Sequence, residues 1–382
     1  MSRAAERCCS PLLSELYARA REHPWYRDRF ASDGSLPILS KAELYAMLAG
    51  RERDPFFALD TYWSPSGGSG ASAPIYFPTA VAENLEQRRI FSTWLAEHGI
   101  LGPSTVALSL FSSRTMYRSG EIFIDYVQRC GGTVLPAGYQ ARDADCFELY
   151  QRFGPNLLMG SPGRLVQLAH ACEMSVGGVL YASEFLTPGA RKLLEERLGV
   201  RQWASVMGSA EGGVWGFSRY EDDLDLFWAP RSLVHLEIAD ADEEGFGRVI
   251  VSNCVRRRHP LLRYESGDRG RLLPGFCDEV VGLQLAGRHG RSFQFSAQYY
   301  DLSEFSALLA ESAAFQFVLH FEGRDALTLR LVGGDGSEIL AQLRRMVRYN
   351  PLVNSVEMEM CEPGDLQRVE HSGKILPIVD LR

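Results

Sequence analysis

The sequence predicts an α/β fold: a large N-terminal α/β domain with a β-rich subdomain, plus a small mobile α+β C-terminal domain. Three observations predict it. Strand-like apolar runs alternate with helical stretches from Thr105 to Leu198, the pattern of a mostly parallel sheet with crossover helices. After Trp228 the texture turns to short β runs separated by Gly and Asp. Beyond Gly287 strand and helix patterns mix in a stretch the size of a lid. The boundaries follow: 1–287 as the core (1–60 a helical layer, 61–228 α/β, 229–287 β-rich) and 288–382 as the C-terminal domain.

Each element has a local reason. Short helices between Pro11 and Arg53 are broken by His23-Pro24 and Leu36-Pro37, and Ser40 with Glu43 forms a capping box that opens a further helix. This layer carries no chemistry of its own. Ile75-Tyr76-Phe77 reads as a strand and Val81–His98 as a helix whose inner face takes Leu85, Phe91, Trp94 and Leu95. A buried strand over 105–111, a helix over 122–128, a strand over 132–135, a helix over 145–153 and a strand over 156–159 follow. Ser161-Pro162 and Thr187-Pro188 each start a helix, the hydroxyl as cap and the proline in the first turn. A short strand over 201–205 leads into a glycine-rich turn at Glu211. The β-rich part contains strands over 234–238, 247–252, 261–264 and 271–273, with an acidic turn at Asp240–Glu244. In the C-terminal part Asp301 to Glu304 caps a helix, strands fall at 316–321, 326–332 and 355–361, and an amphipathic helix spans 337–349.

Size and charge narrow the function classes. A chain of 382 residues that is 46% hydrophobic buries a large core. The net charge of −8 excludes a general nucleic-acid binder, because phosphate affinity is built from clustered Lys and Arg. Arg256-Arg257-Arg258 reads as a solvated loop. Eight cysteines without CxxC spacing suit reduced, separately buried thiols, and a zinc site built on Cys254, His259 and Cys277 lacks a fourth ligand. No apolar run approaches the roughly 20 residues that cross a bilayer. The expectation is a cytoplasmic protein, no membrane partner, monomer or homodimer.

The chemistry-bearing stretches are few and ordered. Ser64 to Ser72 is the richest Gly/Ser stretch, in which small residues let main-chain N–H groups surround an anion; a flexible surface loop is the plain alternative. It has neither the spacing of a Walker loop nor a nucleophile elbow. Met207-Gly208-Ser209-Ala210-Glu211 lies at the carboxyl end of a strand, where such sheets bind ligands, and a carboxylate there could hold magnesium. Arg263 to Leu272 offers a strand, a turn and Asp268 flanked by arginines. Gly287-Arg288 and His371-Ser372-Gly373-Lys374 complete the series, the last on a turn near the end of the chain.

Together these segments resemble the acyl-adenylate-forming superfamily, and within it the phenylacetate–coenzyme A ligase-like branch. Pro260-Leu261-Leu262-Arg263-Tyr264-Glu265-Ser266-Gly267-Asp268 is similar to that family's P-L-I-R-Y-R-T-G-D, and Ser372-Gly373-Lys374 to its terminal Ser-Gly-Lys. Gly160 to Leu165 and Ala182 to Gly199 are similar to the phenylacetate branch. The compact length is similar to acyl-activating proteins of phenazine antibiotic biosynthesis. The chain departs from the pattern at Ala71-Ser72, where the family has a lysine, at Met207, where it has an aromatic, and at Ala210.

The resemblance implies ATP-dependent adenylation of a small aromatic carboxylic acid, then transfer to coenzyme A, a carrier protein, an amine or a reductase. A nucleotide-binding relative without turnover is the alternative. It implies Lys374 and Glu211 as catalytic residues, Glu211 also as the Mg ligand. It implies a nucleotide site of Ser66, Gly67, Gly68, Ser69, Gly70, Met207, Gly208, Ser209, Asp268 and Arg288. The acyl pocket would take Phe111, Tyr139, Ala182, Ser183, Glu184 and Val206. Cys361 is the one candidate for a thiol that carries the acyl group.

Overall fold

The computed structural model describes residues 11–382 apart from 55–56, 58, 66–75, 114–115, 185, 289–291, 297, 322 and 370–372. In chain order the elements are α1 (Pro11–Glu22), α2 (Lys41–Leu48), β1 (Thr61–Pro65), β2 (Tyr76–Ala80), α3 (Val81–Glu97), β3 (Val106–Ser109), α4 (Ser119–Arg129), β4 (Thr133–Pro136), α5 (Asp143–Phe153) and β5 (Leu157–Gly160). Next come α6 (Pro162–Ala171), β6 (Gly178–Ala182), α7 (Pro188–Leu198), β7 (Gln202–Ser209), β8 (Gly213–Phe217), β9 (Leu226–Pro230), β10 (Val234–Ala239), β11 (Gly247–Asn253) and β12 (Tyr264–Leu273). The chain ends with β13 (Val280–Arg288), β14 (Ser292–Phe295), β15 (Gln298–Asp301), α8 (Ser306–Leu309), β16 (Ala314–Phe321), β17 (Asp325–Val332), α9 (Gly336–Met346), β18 (Asn354–Met360) and β19 (Ile378–Asp380). Among the described residues no helix is long and apolar enough to cross a membrane.

Two compact units share the chain. The first comprises 1–94, 207–217 and 225–287. Its strands follow the order β10-β11-β12-β13-β9-β8, and β1 with β2 forms an antiparallel hairpin around the undescribed 66–75. The N-terminal layer buttresses β12: Tyr26 Oη donates to Pro260 O (3.2 Å) and accepts from Leu262 N (3.0 Å), while Leu39 exchanges main-chain bonds with Arg263 and Glu265. Leu16, Leu36, Leu39, Leu44, Phe77, Leu261, Leu262 and Tyr264 close one apolar core over these bonds, so burial strengthens them. The layer therefore serves the site by fixing the strand that carries Asp268. The Ser40 capping box forms on both sides, Glu43 N to Ser40 Oγ at 3.2 Å and Ser40 N to Glu43 Oε2 at 2.8 Å.

The second unit comprises 95–206, 218–224 and 288–382. Here β7, β6, β5, β3 and β4 lie side by side, all parallel, as the βα alternation requires. Strand β6 is absent from the sequence expectation: its apolar run Val179 to Ala182 is only four residues, too short for a period-2 or period-3.6 pattern to show. Thr187 caps α7 as expected, accepting from Ala190 N at 3.0 Å. Ser161 does not cap α6 through its side chain; proline at N1 and the main chain start that helix. Thr187 also donates to Ser312 O, and Gly189 touches the Glu311 carbonyl so closely that any Cβ would overlap it at 2.0 Å. Ala313, Ala314, Val332 and Leu366 thereby join the core of the parallel sheet, whereas Phe293, Phe295, Tyr300, Phe305 and Phe317 build a second, aromatic core under the sheet β18-β17-β16-β19.

The α/β class with a β-rich part and a C-terminal α+β part stands. Besides the Ser161 cap, three local readings do not. Asp301 to Glu304 is strand end and 3-10 turn before the single helical turn α8. Arg256 is buried rather than solvated, with only Arg257 of the triplet exposed. Strand β12 runs unbroken through Gly267-Asp268, where the sequence suggests a turn.

Candidate active site

In the first unit the two glycine-bearing motifs meet. Val251 pairs with Tyr264 and Ile250 with Glu265, but Arg248 pairs with Arg269, so Ser266, Gly267 and Asp268 stand opposite Val249 alone. This is a bulge with two inserted residues, larger than the usual one, and Gly267 at φ +80° supplies a left-handed residue within it. The bulge is tied by Ser266 Oγ to Val249 O (3.2 Å) and Asp268 N to Ser266 Oγ (3.2 Å). It turns Asp268, 5% exposed, into a small pocket, part of it open to solvent, that Met207, Gly208, Ser209, Gly212, Trp215 and Tyr264 also line.

The turn after β7 is held from three directions. Gln87 on α3 donates to Gly212 O (3.0 Å) and Val214 O (2.9 Å), and Asn253 Nδ2 donates to Gly212 O (2.8 Å). Arg256 donates to the main-chain oxygen of Glu211; burial lowers its pKa to about 10, against the pull of Glu83 and Glu211. Within this frame Tyr264 Oη donates to Glu211 Oε1 at 2.8 Å. One carboxylate oxygen is thus oriented by a phenol. Magnesium takes one or two protein carboxylates and keeps several waters. Among the described residues no group of three or more His, Cys, Asp or Glu could cage a metal; Glu211 offers a single carboxylate, with Oε1 already taken by the Tyr264 phenol.

In the second unit the expected pocket residues gather at the carboxyl ends of parallel strands. Phe111 follows β3 and stacks on Phe123 with centroids 3.9 Å apart; Tyr139 follows β4; Ala182 ends β6 beside Val206 of β7; Ser183 follows at φ +80°, a strained backbone for a residue with a Cβ. Arg164, 1% exposed, fixes the Tyr139 loop by donating to Tyr139 O (3.1 Å), Ala141 O (2.8 Å) and Asp143 Oδ1 (2.5 Å). Glu184 accepts from Gly163 N (2.8 Å) and Ile375 N (2.7 Å). Burial raises its pKa, and those two N–H groups, Arg368 and Lys374 oppose the rise.

Lys374 belongs to a hairpin. Val369 N donates to Lys374 O (2.8 Å), Gly373 N to Val369 O (2.8 Å), and Arg368 bridges Ile375. Its ammonium lies 5.7 Å from the centre of the Tyr117 ring. Gly373, at φ +72°, lies flat against Tyr139, where a Cβ would come within 2.2 Å of the ring. Arg288 ends β13 with its side chain outside the described residues, as are Ser66, Gly67, Gly68, Ser69 and Gly70. Cys361 donates to Leu331 O (3.7 Å) and burial pushes its thiol pKa up, the reverse of an activated nucleophile. Gln87, Arg164, Arg256, Tyr264 and Arg368 are the residues sequence reasoning missed. Arg164 and Tyr264 lie inside the quoted motifs, which was their only signal.

No protein-family model and no curated protein matches the chain. Solved structures do match its fold. A 2-hydroxyisobutyryl-CoA ligase in the postadenylation state, in complex with 2-HIB-AMP, superposes with a TM-score of 0.73 at 16% identity, over 97% of this chain and 89% of that one. The anthranilate CoA ligase AuaEII, in complex with anthranoyl-AMP, gives 0.55 at 15% identity over 82% and 64%. ATP-bound MatB from Rhodopseudomonas palustris gives 0.54 at 15% identity over 82% and 66%.

Proposed function

We propose that the chain is an ATP- and magnesium-dependent ligase that adenylates a small aromatic carboxylic acid and passes the acyl group to a thiol, coenzyme A or a carrier. The observation that carries this reading is the hairpin presenting Lys374 beside Tyr117 and Tyr139 at the carboxyl ends of the parallel strands. The fold shared with two CoA ligases bound to acyl-AMP supports it. So does the pocket that joins Asp268 to Met207, Gly208 and Ser209.

In this reading a carboxylate oxygen attacks the α-phosphorus of ATP, the bond from that phosphorus to the oxygen of the β-phosphate breaks, and pyrophosphate leaves with the electron pair. An acyl-AMP mixed anhydride remains. Two anions must meet, so fixed cations and N–H donors carry the rate. Lys374 bridges the carboxylate and the α-phosphate. Asp268 accepts from the ribose hydroxyls, Met207 packs on adenine, Ser66 to Gly70 donate to the phosphates, and Arg288 assists near the ribose. Glu211 would hold magnesium, whose charge would offset that of the triphosphate when bound. Tyr117 and Tyr139, beside the Lys374 hairpin, would supply aromatic surface for a ring-bearing acid.

The testing measurement is carboxylate-dependent exchange of labelled pyrophosphate into ATP, with aryl, heteroaryl, amino, hydroxy and fatty acids and no acceptor present. Exchange with aryl acids is the expected result. ATP binding without exchange for any acid would overturn the reading, and exchange confined to hydroxy or fatty acids would overturn the aromatic assignment.

A further inference from the structure

Glu184 was expected to line the acyl pocket, yet both of its oxygens are occupied by main-chain donors from two distant segments. Oε2 takes the N–H of Gly163 in the first turn of α6, and Oε1 takes the N–H of Ile375, the residue after Lys374. An arginine closes the same junction from the other side. Arg368 donates to Gly373 O (3.1 Å), to Gly163 O (3.2 Å) and to Pro363 O (3.0 Å), and burial lowers its pKa. Gly163 is therefore gripped at its N–H by Glu184 and at its carbonyl by Arg368. The space is full: a Cβ on Gly163 would come within 2.4 Å of Ile375 Cδ1. The residues on either side of Lys374 are thus pinned, Gly373 through its carbonyl and Ile375 through its N–H. The lysine's main chain has little freedom left.

We propose that Glu184 is a positioning residue, a latch that fastens Ile375 to the start of α6 and so holds Lys374 where it acts. The role assigned to Lys374 rests on the adenylation reading; the latch itself does not. Movement of the hairpin away from α6 must break the Glu184–Ile375 and Arg368–Gly163 bonds together. Charge-assisted bonds from a buried carboxylate to main-chain N–H groups are among the stronger ones available for such a clasp.

Limited trypsin digestion of the full chain, with peptides read by mass spectrometry, tests this at the Lys374–Ile375 bond. Cleavage needs that segment to open. Glu184→Ala is expected to raise the rate there about tenfold or more, as loss of hydrogen bonds to a charged group would, with cleavage after the exposed Lys192 as internal control. Glu184→Gln keeps an acceptor oxygen for one of the two N–H groups and should give a smaller rise. Wild-type rates at Lys374 in both variants would overturn the latch. Where the wild type supports exchange, Glu184→Ala should lower its kcat with the KM for ATP unchanged, whereas a raised KM at constant kcat would overturn the latch. Absence of exchange in the wild type would remove the adenylation reading and leave the digestion to decide the latch alone.

Discussion

Glu211 and Glu184 both follow strand ends in glycine- or serine-bearing turns, and their surroundings set them to opposite work. Glu211 has one oxygen oriented by the Tyr264 phenol, and its own main chain is held by Arg256. Glu184 spends both oxygens on main-chain N–H groups. A carboxylate steered by a single donor keeps lone pairs for a ligand, whereas one saturated by main-chain donors joins two pieces of chain. In the adenylation reading, the same residue type in similar sequence surroundings is left open to a ligand in one unit and joins the chain to itself in the other.

The strongest attempt to break this contrast is Glu211→Ala. Exchange should fall on the order of 10²-fold, the loss typical of a group that stabilises transition-state charge, with trypsin cleavage at Lys374 unchanged. A Glu211→Ala protein that exchanges at the wild-type rate would erase the distinction. Tyr264→Phe sharpens the contrast: it removes the phenol that, among the described residues, donates to the Glu211 carboxylate and should cost roughly tenfold or less, visible as a higher magnesium concentration at half-maximal exchange. If the magnesium dependence does not move, Tyr264 serves only the core it also packs in.

How legible was this in the sequence? Class and most elements were, because period and capping are local: Ser40 with Glu43, Thr187 with its proline, the alternation after Thr105. What escaped depends on partners far along the chain. Gly267-Asp268 has turn composition, and only its pairing with β11 makes it a bulge in a continuous strand. Arg256 reads as solvated in a run of three arginines; inside the protein its charge is balanced by Glu83 on α3 and Glu211 after β7, residues its own neighbourhood does not reveal. Motif residues Met207, Gly208, Ser209 and Asp268 line one pocket together, and Tyr264, quoted inside the same motif without a role, lines it too. The motif marks where to look, and packing decides which of its side chains reach one another.

The smallest effect separates local grip from global stability. Burial raises the Glu184 pKa in the folded chain above its ordinary carboxylate value, with the two main-chain donors only partly offsetting it. The folded state then holds this proton more tightly than the unfolded chain does. Glu184 therefore favours folding most below the ordinary carboxylate range, and that contribution is lost as pH rises through the raised pKa. Glu184→Gln carries no such proton, so the urea midpoint of the wild type relative to this variant should fall with rising pH across that interval. At neutral pH the removal of a buried charge and the one main-chain N–H left without an acceptor act in opposite directions, so the variant's midpoint should lie close to the wild type's, even as its Lys374–Ile375 bond is cut faster. A neutral-pH midpoint well below wild type would mean that Glu184 holds up the whole unit, and the contrast with Glu211 would then be one of load-carrying against ligand-holding rather than of latch against ligand.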